Sequence, residues 1–137
     1  YGIVLAKMMV DPVYRRGGVS YLHIPATDAQ QSAVFYKAVF GWKLHGLPDH
    51  PGFEDGTGHV IGAWQTDLAA VGEAGILPYV YVDSVRATLD TALAQGGAIA
   101  KHPYPEGNLT VAAFRDPAGN VIGVWQQTAP PTEAQQT

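Results

Sequence analysis

The sequence predicts an α+β fold made of two tandem βαβββ modules, residues 18–66 and 75–127. Three observations lead there. The hexapeptide Val60-Ile61-Gly62-Ala63-Trp64-Gln65 returns as Val121-Ile122-Gly123-Val124-Trp125-Gln126, 61 residues later. Each copy closes a segment ordered strand, helix and then a run of strands. The chain of 137 residues holds one core of ordinary size and not two independent ones, so the segments read as halves of a single unit, residues 18–127.

The elements follow in order. From Gly18, the stretch Val19-Ser20-Tyr21-Leu22-His23-Ile24 alternates with period two, and Pro25 ends the strand or places it at a sheet edge. Asp28 stands at an N-cap position with Gln31 three residues on, and Ala29, Ala33, Tyr36, Val39 and Phe40 recur at helical spacing up to Gly41. That is an amphipathic helix with a glycine stop. Residues 42–45 read as a short strand. The Gly-, Pro- and Asp-rich stretch 46–58 reads as turns with one weak strand near Phe53, and residues 60–65 form a clearer strand. Residues 66–75 are a connector. Residues 76–82 are β-prone, with tyrosines alternating at 79 and 81. Asp83 or Ser84 caps a second helix that carries Val85, Leu89, Ala92 and Leu93 on one face and stops at Gly96-Gly97. Strands are expected around Ile99, over 109–114 and over 120–126. Residues 1–17 read as an N-terminal extension, and 128–137, with nothing to bury, as a flexible tail.

Composition narrows the functional classes. Twelve acidic residues against eight basic ones give a net charge of −4, and no basic run exceeds Arg15-Arg16, so nucleic acid is not an expected partner. No apolar stretch approaches the roughly 20 residues that span a bilayer, and the start lacks the order of a signal peptide, so a cytoplasmic protein without membrane contact is expected. With no cysteine, disulfides, thiolate nucleophiles and cysteine-type zinc sites are excluded, and any metal would rest on His, Asp or Glu. The GxSxG, P-loop and HExxH patterns are all missing.

Two motifs bear on identity: Ala33-Val34-Phe35-Tyr36-Lys37-Ala38-Val39-Phe40-Gly41-Trp42 and Arg115-Asp116-Pro117-Ala118-Gly119-Asn120-Val121-Ile122-Gly123-Val124-Trp125. With the paired modules, they resemble the vicinal oxygen chelate superfamily, which includes glyoxalase I, bleomycin-resistance proteins and extradiol dioxygenases. The resemblance implies a cupped mixed sheet and, because a second chain completes the cup in many relatives, a homodimer. On the residues alone, Phe35, Tyr36 and Phe40 are core positions, and 116–120 is a turn.

In metal-dependent relatives a divalent ion lies in the cup, held by a His or Glu from each of four strands, and polarises two neighbouring substrate oxygens. The resemblance carries these positions to Tyr21, Gly62, Leu77 and Gly123, with Gly62 assigned through the internal repeat. Glycine and leucine offer no donor, so no cofactor is expected, and a divalent metal is the lesser alternative. His23, two residues from Tyr21 and on the same strand face, is the candidate displaced ligand or general base. His45, His50, His59 and His102 show no shared spacing and read as surface or loop residues.

The glycines leave room, and strand parity puts Trp64 and Trp125 on the faces of Gly62 and Gly123, with Tyr79 and Tyr81 on that of Leu77. Together they would frame an aromatic pocket for a small, partly apolar molecule, with Arg115 and Lys101 as candidate anion anchors. Three readings follow in order. The first is a metal-free binding module of glyoxalase/bleomycin-resistance type. The second is a lyase or isomerase with His23 as base and Tyr21 as proton donor or oxyanion partner. The third is a metal-dependent lactoylglutathione lyase-like or dioxygenase-like enzyme.

Overall fold

The computed structural model describes residues 13–70 and 76–128. The expected N-terminal extension and tail therefore lie largely outside the described residues. The first module runs β1 (Tyr21–Pro25), α1 (Ala29–Phe40), β2 (Lys43–Leu47), β3 (His50–Glu54) and β4 (Ile61–Gln65), with its strands in the order β1-β4-β3-β2. The second runs β5 (Tyr79–Tyr81), α2 (Val85–Ala94), β6 (Ala98–Glu106), β7 (Leu109–Arg115) and β8 (Val121–Gln127), in the order β5-β8-β7-β6. In each sheet the outer pair, β1 with β4 and β5 with β8, is parallel and the remaining pairs are antiparallel. The result is the expected α+β architecture as two mixed four-stranded sheets, each with its helix.

The helices form where the caps place them. Asp28 accepts from the amides of Gln30 and Gln31 at 3.0 and 3.1 Å, and Gly41 closes α1 with φ of 72°, a left-handed value that suits glycine. Ser84, not Asp83, caps α2 by accepting from the Ala87 amide at 3.1 Å. Two strands differ from expectation. The stretch near Phe53 is a full strand despite Pro51 and Gly52, because Phe53 is completely buried and Pro51 sits near the hairpin end opposite Gly46. The strand expected over 76–82 shrinks to Tyr79–Tyr81, and Ile76 is almost fully exposed. Pro78 contributes only its carbonyl, which accepts from the Gly123 amide at 2.9 Å.

One continuous core joins the modules. Phe35, Tyr36, Trp42, Phe53 and Trp64 from the first pack with Leu89, Phe114, Ile122 and Val124 from the second. Phe114 meets Phe35 and Phe40 at ring-centroid distances of 5.6 and 5.8 Å. A polar clasp sits on this seam. The Tyr36 hydroxyl donates to Asp116 Oδ2 at 2.8 Å, and Asn120 Nδ2 donates to the same oxygen and to the Pro25 carbonyl, each at 2.7 Å. Asp116 Oδ1 accepts from the amides of Ala118 and Asn120, so this buried carboxylate is met by four donors. The two motifs that carried the resemblance are thus in contact, and the 116–120 turn is an intermodule fastener as well as a turn.

Hydrogen bonds also fix how the modules correspond. Ala26, two residues before the Asp28 cap, donates to the Gln65 carbonyl at 3.0 Å, and Val82, two before the Ser84 cap, donates to that of Trp125 at 2.9 Å. Gln65 therefore corresponds to Trp125, whereas the hexapeptide echo matches it to Gln126. The cause lies in the preceding turn. Gly58 bonds back to Asp55 as Gly119 does to Asp116, but Phe53 then pairs with Gly62 while Phe114 pairs with Ile122. The first turn holds one extra residue, His59. The echo is out of phase by one position, and because side chains alternate, the two hexapeptides present opposite faces.

Candidate functional site

That phase shift corrects two expectations. The structural partner of Gly123 is Ala63, not Gly62, and Trp64 does not join Trp125. Trp64 is 4% exposed on the helix side of its sheet, against Phe53 and Tyr36 at 4.9 and 5.7 Å. Gly62 shares that side. A Cβ there would lie 2.1 Å from the Leu22 carbonyl oxygen and 2.5 Å from the Phe53 ring, so glycine is required by close packing rather than left by a vanished ligand.

The other aromatics do gather. Tyr79 pairs with Gly123 and Tyr81 with Trp125 across the parallel β5–β8 ladder, on the face turned away from the helix-side Ile122 and Val124. The Tyr79 ring lies over Gly123, where a Cβ would come within 2.4 Å of its carbons. Tyr81 and Trp125 meet edge to face at 4.8 Å. Both tyrosines are about half exposed, at 49% and 52%, although they are large and largely apolar. Arg115 closes the same face two positions along β7 from Ala113, and its guanidinium reaches the Gly119 carbonyl at 3.4 Å. Lys101 lies over the Tyr104 ring at 4.4 Å.

Tyr21 and His23 form a separate group on the first sheet. Their rings meet edge to face at 5.1 Å; Tyr21 packs near Ile61 and Val13, and His23 is exposed. Burial raises the Tyr21 phenol above its ordinary value. No ring contact or hydrogen bond among the described residues joins this pair to Tyr79, Tyr81 and Trp125. The register adds a histidine that spacing along the chain did not reveal. His23, Ala63, Gly52 and His45 lie in one row across the sheet on one face, and His45 Nε2 is buried without a hydrogen-bond partner among the described residues. Only strand pairing brings His23 and His45 to the same row.

The residues do not fit the superfamily's metal. With the phase corrected, the four positions are Tyr21, Ala63, Leu77 and Gly123, of which only Tyr21 has a side-chain donor atom. Among the described residues no three of His, Asp or Glu gather as a metal-binding group.

A cleft of about 610 Å³ opens beside this aromatic face, a volume in the range of small-molecule sites. It lies between Val39, Phe40 and Trp42 at the end of α1, Asp55 and Gly56 of the β3–β4 turn, the β5 segment, and Asp83, Ser84, Ala87, Thr88 and Thr91 along α2. Of the expected site residues only Tyr79 and Tyr81 border it. No helix among the described residues is long and apolar enough to cross a membrane.

The family model for the Glyoxalase/Bleomycin resistance protein/Dioxygenase superfamily matches residues 18–124. A glyoxylase-like domain-containing protein from Didymella fabae is 30% identical over 89 residues, covering 59% of this chain and 70% of that protein. Among solved structures, a glyoxalase/bleomycin resistance protein/dioxygenase family enzyme from Burkholderia phytofirmans PsJN superposes with a TM-score of 0.66 at 22% identity, over 79% of this chain and 97% of that one. TnmS3, an antibiotic binding protein from Streptomyces sp. CB03234, superposes with a TM-score of 0.62 at 20% identity, over 81% and 96%.

Proposed function

Because the chain belongs to the Glyoxalase/Bleomycin resistance protein/Dioxygenase superfamily, we propose that it is a member that binds a small, planar and largely apolar molecule without a metal. The observation that carries this reading is the face of the second sheet. Tyr79 and Tyr81 stand half-exposed beside the partly buried Trp125 around Gly123, while three of the four positions that would hold a metal have no donor side chain. Two phenols and an indole on rigid strands bury aromatic area at low entropic cost and keep polar tips for orientation, and Arg115 at the end of the face suits a ligand with an anionic edge. That one structural neighbour is an antibiotic binding protein supports a binding role on this fold. The binding unit is a cytoplasmic homodimer in which the second copy closes the aromatic face.

The test is direct. Protein expressed with zinc, nickel, iron and manganese and then dialysed retains well under one metal per chain by plasma mass spectrometry. Planar aromatic probes quench Trp125 fluorescence, and Tyr81→Ala weakens their binding about tenfold. Stoichiometric metal with turnover of a hemithioacetal or catechol would overturn the reading. A lyase or isomerase using His23 as base and Tyr21 as donor is the second reading, favoured by their contact at 5.1 Å on one face. It requires that His23→Ala abolish turnover while the fold survives.

A further inference from the structure

We infer that the cleft between the end of α1 and α2, on the helix side of β5, binds an organic cation with an aromatic or alkyl body. This site adjoins the aromatic face, since Tyr79 and Tyr81 border both, and it is told apart from that face by Phe40, Trp42 and α2, which Trp125 and Gly123 do not reach. Its walls are Phe40 and Trp42, stacked at 5.4 Å, with Val39, Val80 and Val82. Trp42 is itself stacked on Phe53 and Tyr36, so these walls offer a ligand apolar surface and ring edges, and the ring faces nearest the opening are those of Tyr79 and Tyr81.

The polar part of the lining is biased to acceptors. Among the described residues its only ionisable groups besides the two tyrosines are Asp55 and Asp83, and no Lys, Arg or His borders it. Asp55 Oδ1 is occupied within its own turn by Thr57 and Gly58, which leaves Oδ2 without a partner among the described residues. Asp83 makes no hydrogen bond there. The Thr88 and Thr91 hydroxyls have already spent their hydrogens on the Ser84 and Ala87 carbonyls, at 2.8 and 3.1 Å, so each oxygen faces a ligand as an acceptor. The amino end of α2 does not reverse this bias. The amides of Val85, Ala87 and Thr88 are taken by Gln126 Oε1, Ser84 Oγ and the Ser84 carbonyl, and Arg86, whose amide has no such acceptor among the described residues, does not border the cleft. A ligand that donates hydrogen bonds and carries positive charge complements the lining, and a carboxylate or phosphate does not.

The experiment titrates the full chain with phenethylammonium, 2-phenylethanol and phenylacetate, read by NMR shifts and calorimetry. Phenethylammonium should move the Trp42 indole and the Thr88 and Thr91 methyl signals and bind about fivefold tighter than the alcohol at low salt, with the margin falling at high salt. Asp83→Asn should cut that affinity about three- to fivefold. Ala87→Trp, at an exposed position bordering the cleft, should block it, with circular dichroism as the check on folding. Equal affinity for the alcohol, tighter binding of phenylacetate, or a shift map centred on Trp125 instead of Trp42 would overturn the inference. A map centred on Trp125 would leave the aromatic-face reading standing, and a map confined to Trp42 would leave the cleft standing alone.

Discussion

Replacing Tyr36 by phenylalanine removes one oxygen from the fastener between the modules and leaves the ring packing in place. Tyr36 is completely buried, and its hydroxyl donates to a buried carboxylate at 2.8 Å. A hydrogen bond to a charged group contributes about 1.5–3 kcal/mol. Here Asp116 Oδ2 keeps the Asn120 amide at 2.7 Å, so it is not orphaned and the loss falls at the lower end, about 1.5–2 kcal/mol. For a domain of this size that is a drop in Tm of about 5–10 °C. The pH dependence sharpens the test. Burial first, then the Asp116 charge and the hydrogen bond to it, raise the Tyr36 phenol well above its ordinary value. Above pH 10 the unfolded chain releases this proton and the folded chain keeps it, so the stabilisation is fully present below about pH 10 and is lost as pH rises beyond it. Each pH unit above 10 removes up to about 1.4 kcal/mol from the wild type through this phenol, a loss that the variant does not share. Urea melts of both proteins at pH 8 and near pH 11 should show a gap that narrows by most of its size. Every other tyrosine is common to the pair and cancels. A gap under about 0.5 kcal/mol at pH 8, or one that stays constant to pH 11, would refute the view that this contact fastens the modules.

The two glycines of the echoed hexapeptides should respond unequally to alanine. Gly62→Ala drives a Cβ into the Leu22 backbone and the Phe53 ring and should cost at least about 3 kcal/mol by chemical denaturation. Gly123→Ala comes first against the half-exposed Tyr79 ring, which must swing away as a whole but can do so toward solvent, so stability should fall less than for Gly62→Ala, by about 1–2 kcal/mol, while binding to the aromatic face weakens. Asp28→Ala removes the acceptor for the Gln30 and Gln31 amides and should lower stability by about 1 kcal/mol, with Asp28→Asn restoring most of it.

What the sequence disclosed follows the range of the interactions involved. Both helices were legible because their determinants, Asp28, Gly41 and Ser84, act within a few residues. That Tyr79 shares a face with Tyr81, and Gly123 with Trp125, was legible because alternation within a strand is a local rule. Facing between strands was not. Which side of its sheet Gly62 occupies depends on the count of residues in the turn before it, and His59 gave no sign of being an extra one. The row from His23 to His45 needs three strand registers at once. The cleft against α2 needs the packing of both modules, which no window of sequence contains.

The phase shift has a consequence for the history of the chain. The two hexapeptides differ only at Ala63 and Val124, a substitution that looks conservative. Yet Ala63 lies with Gly52 on an open row beside His23, whereas Val124 is completely buried between sheet and helix. Recombination that copied either repeat onto the other by its aligned letters would put a valine on that row or carve a hole in the core. The copies can no longer template one another. With the turns differing by one residue, the two strings are alike in letters and unlike in duty, and neither is an exchangeable part for the other.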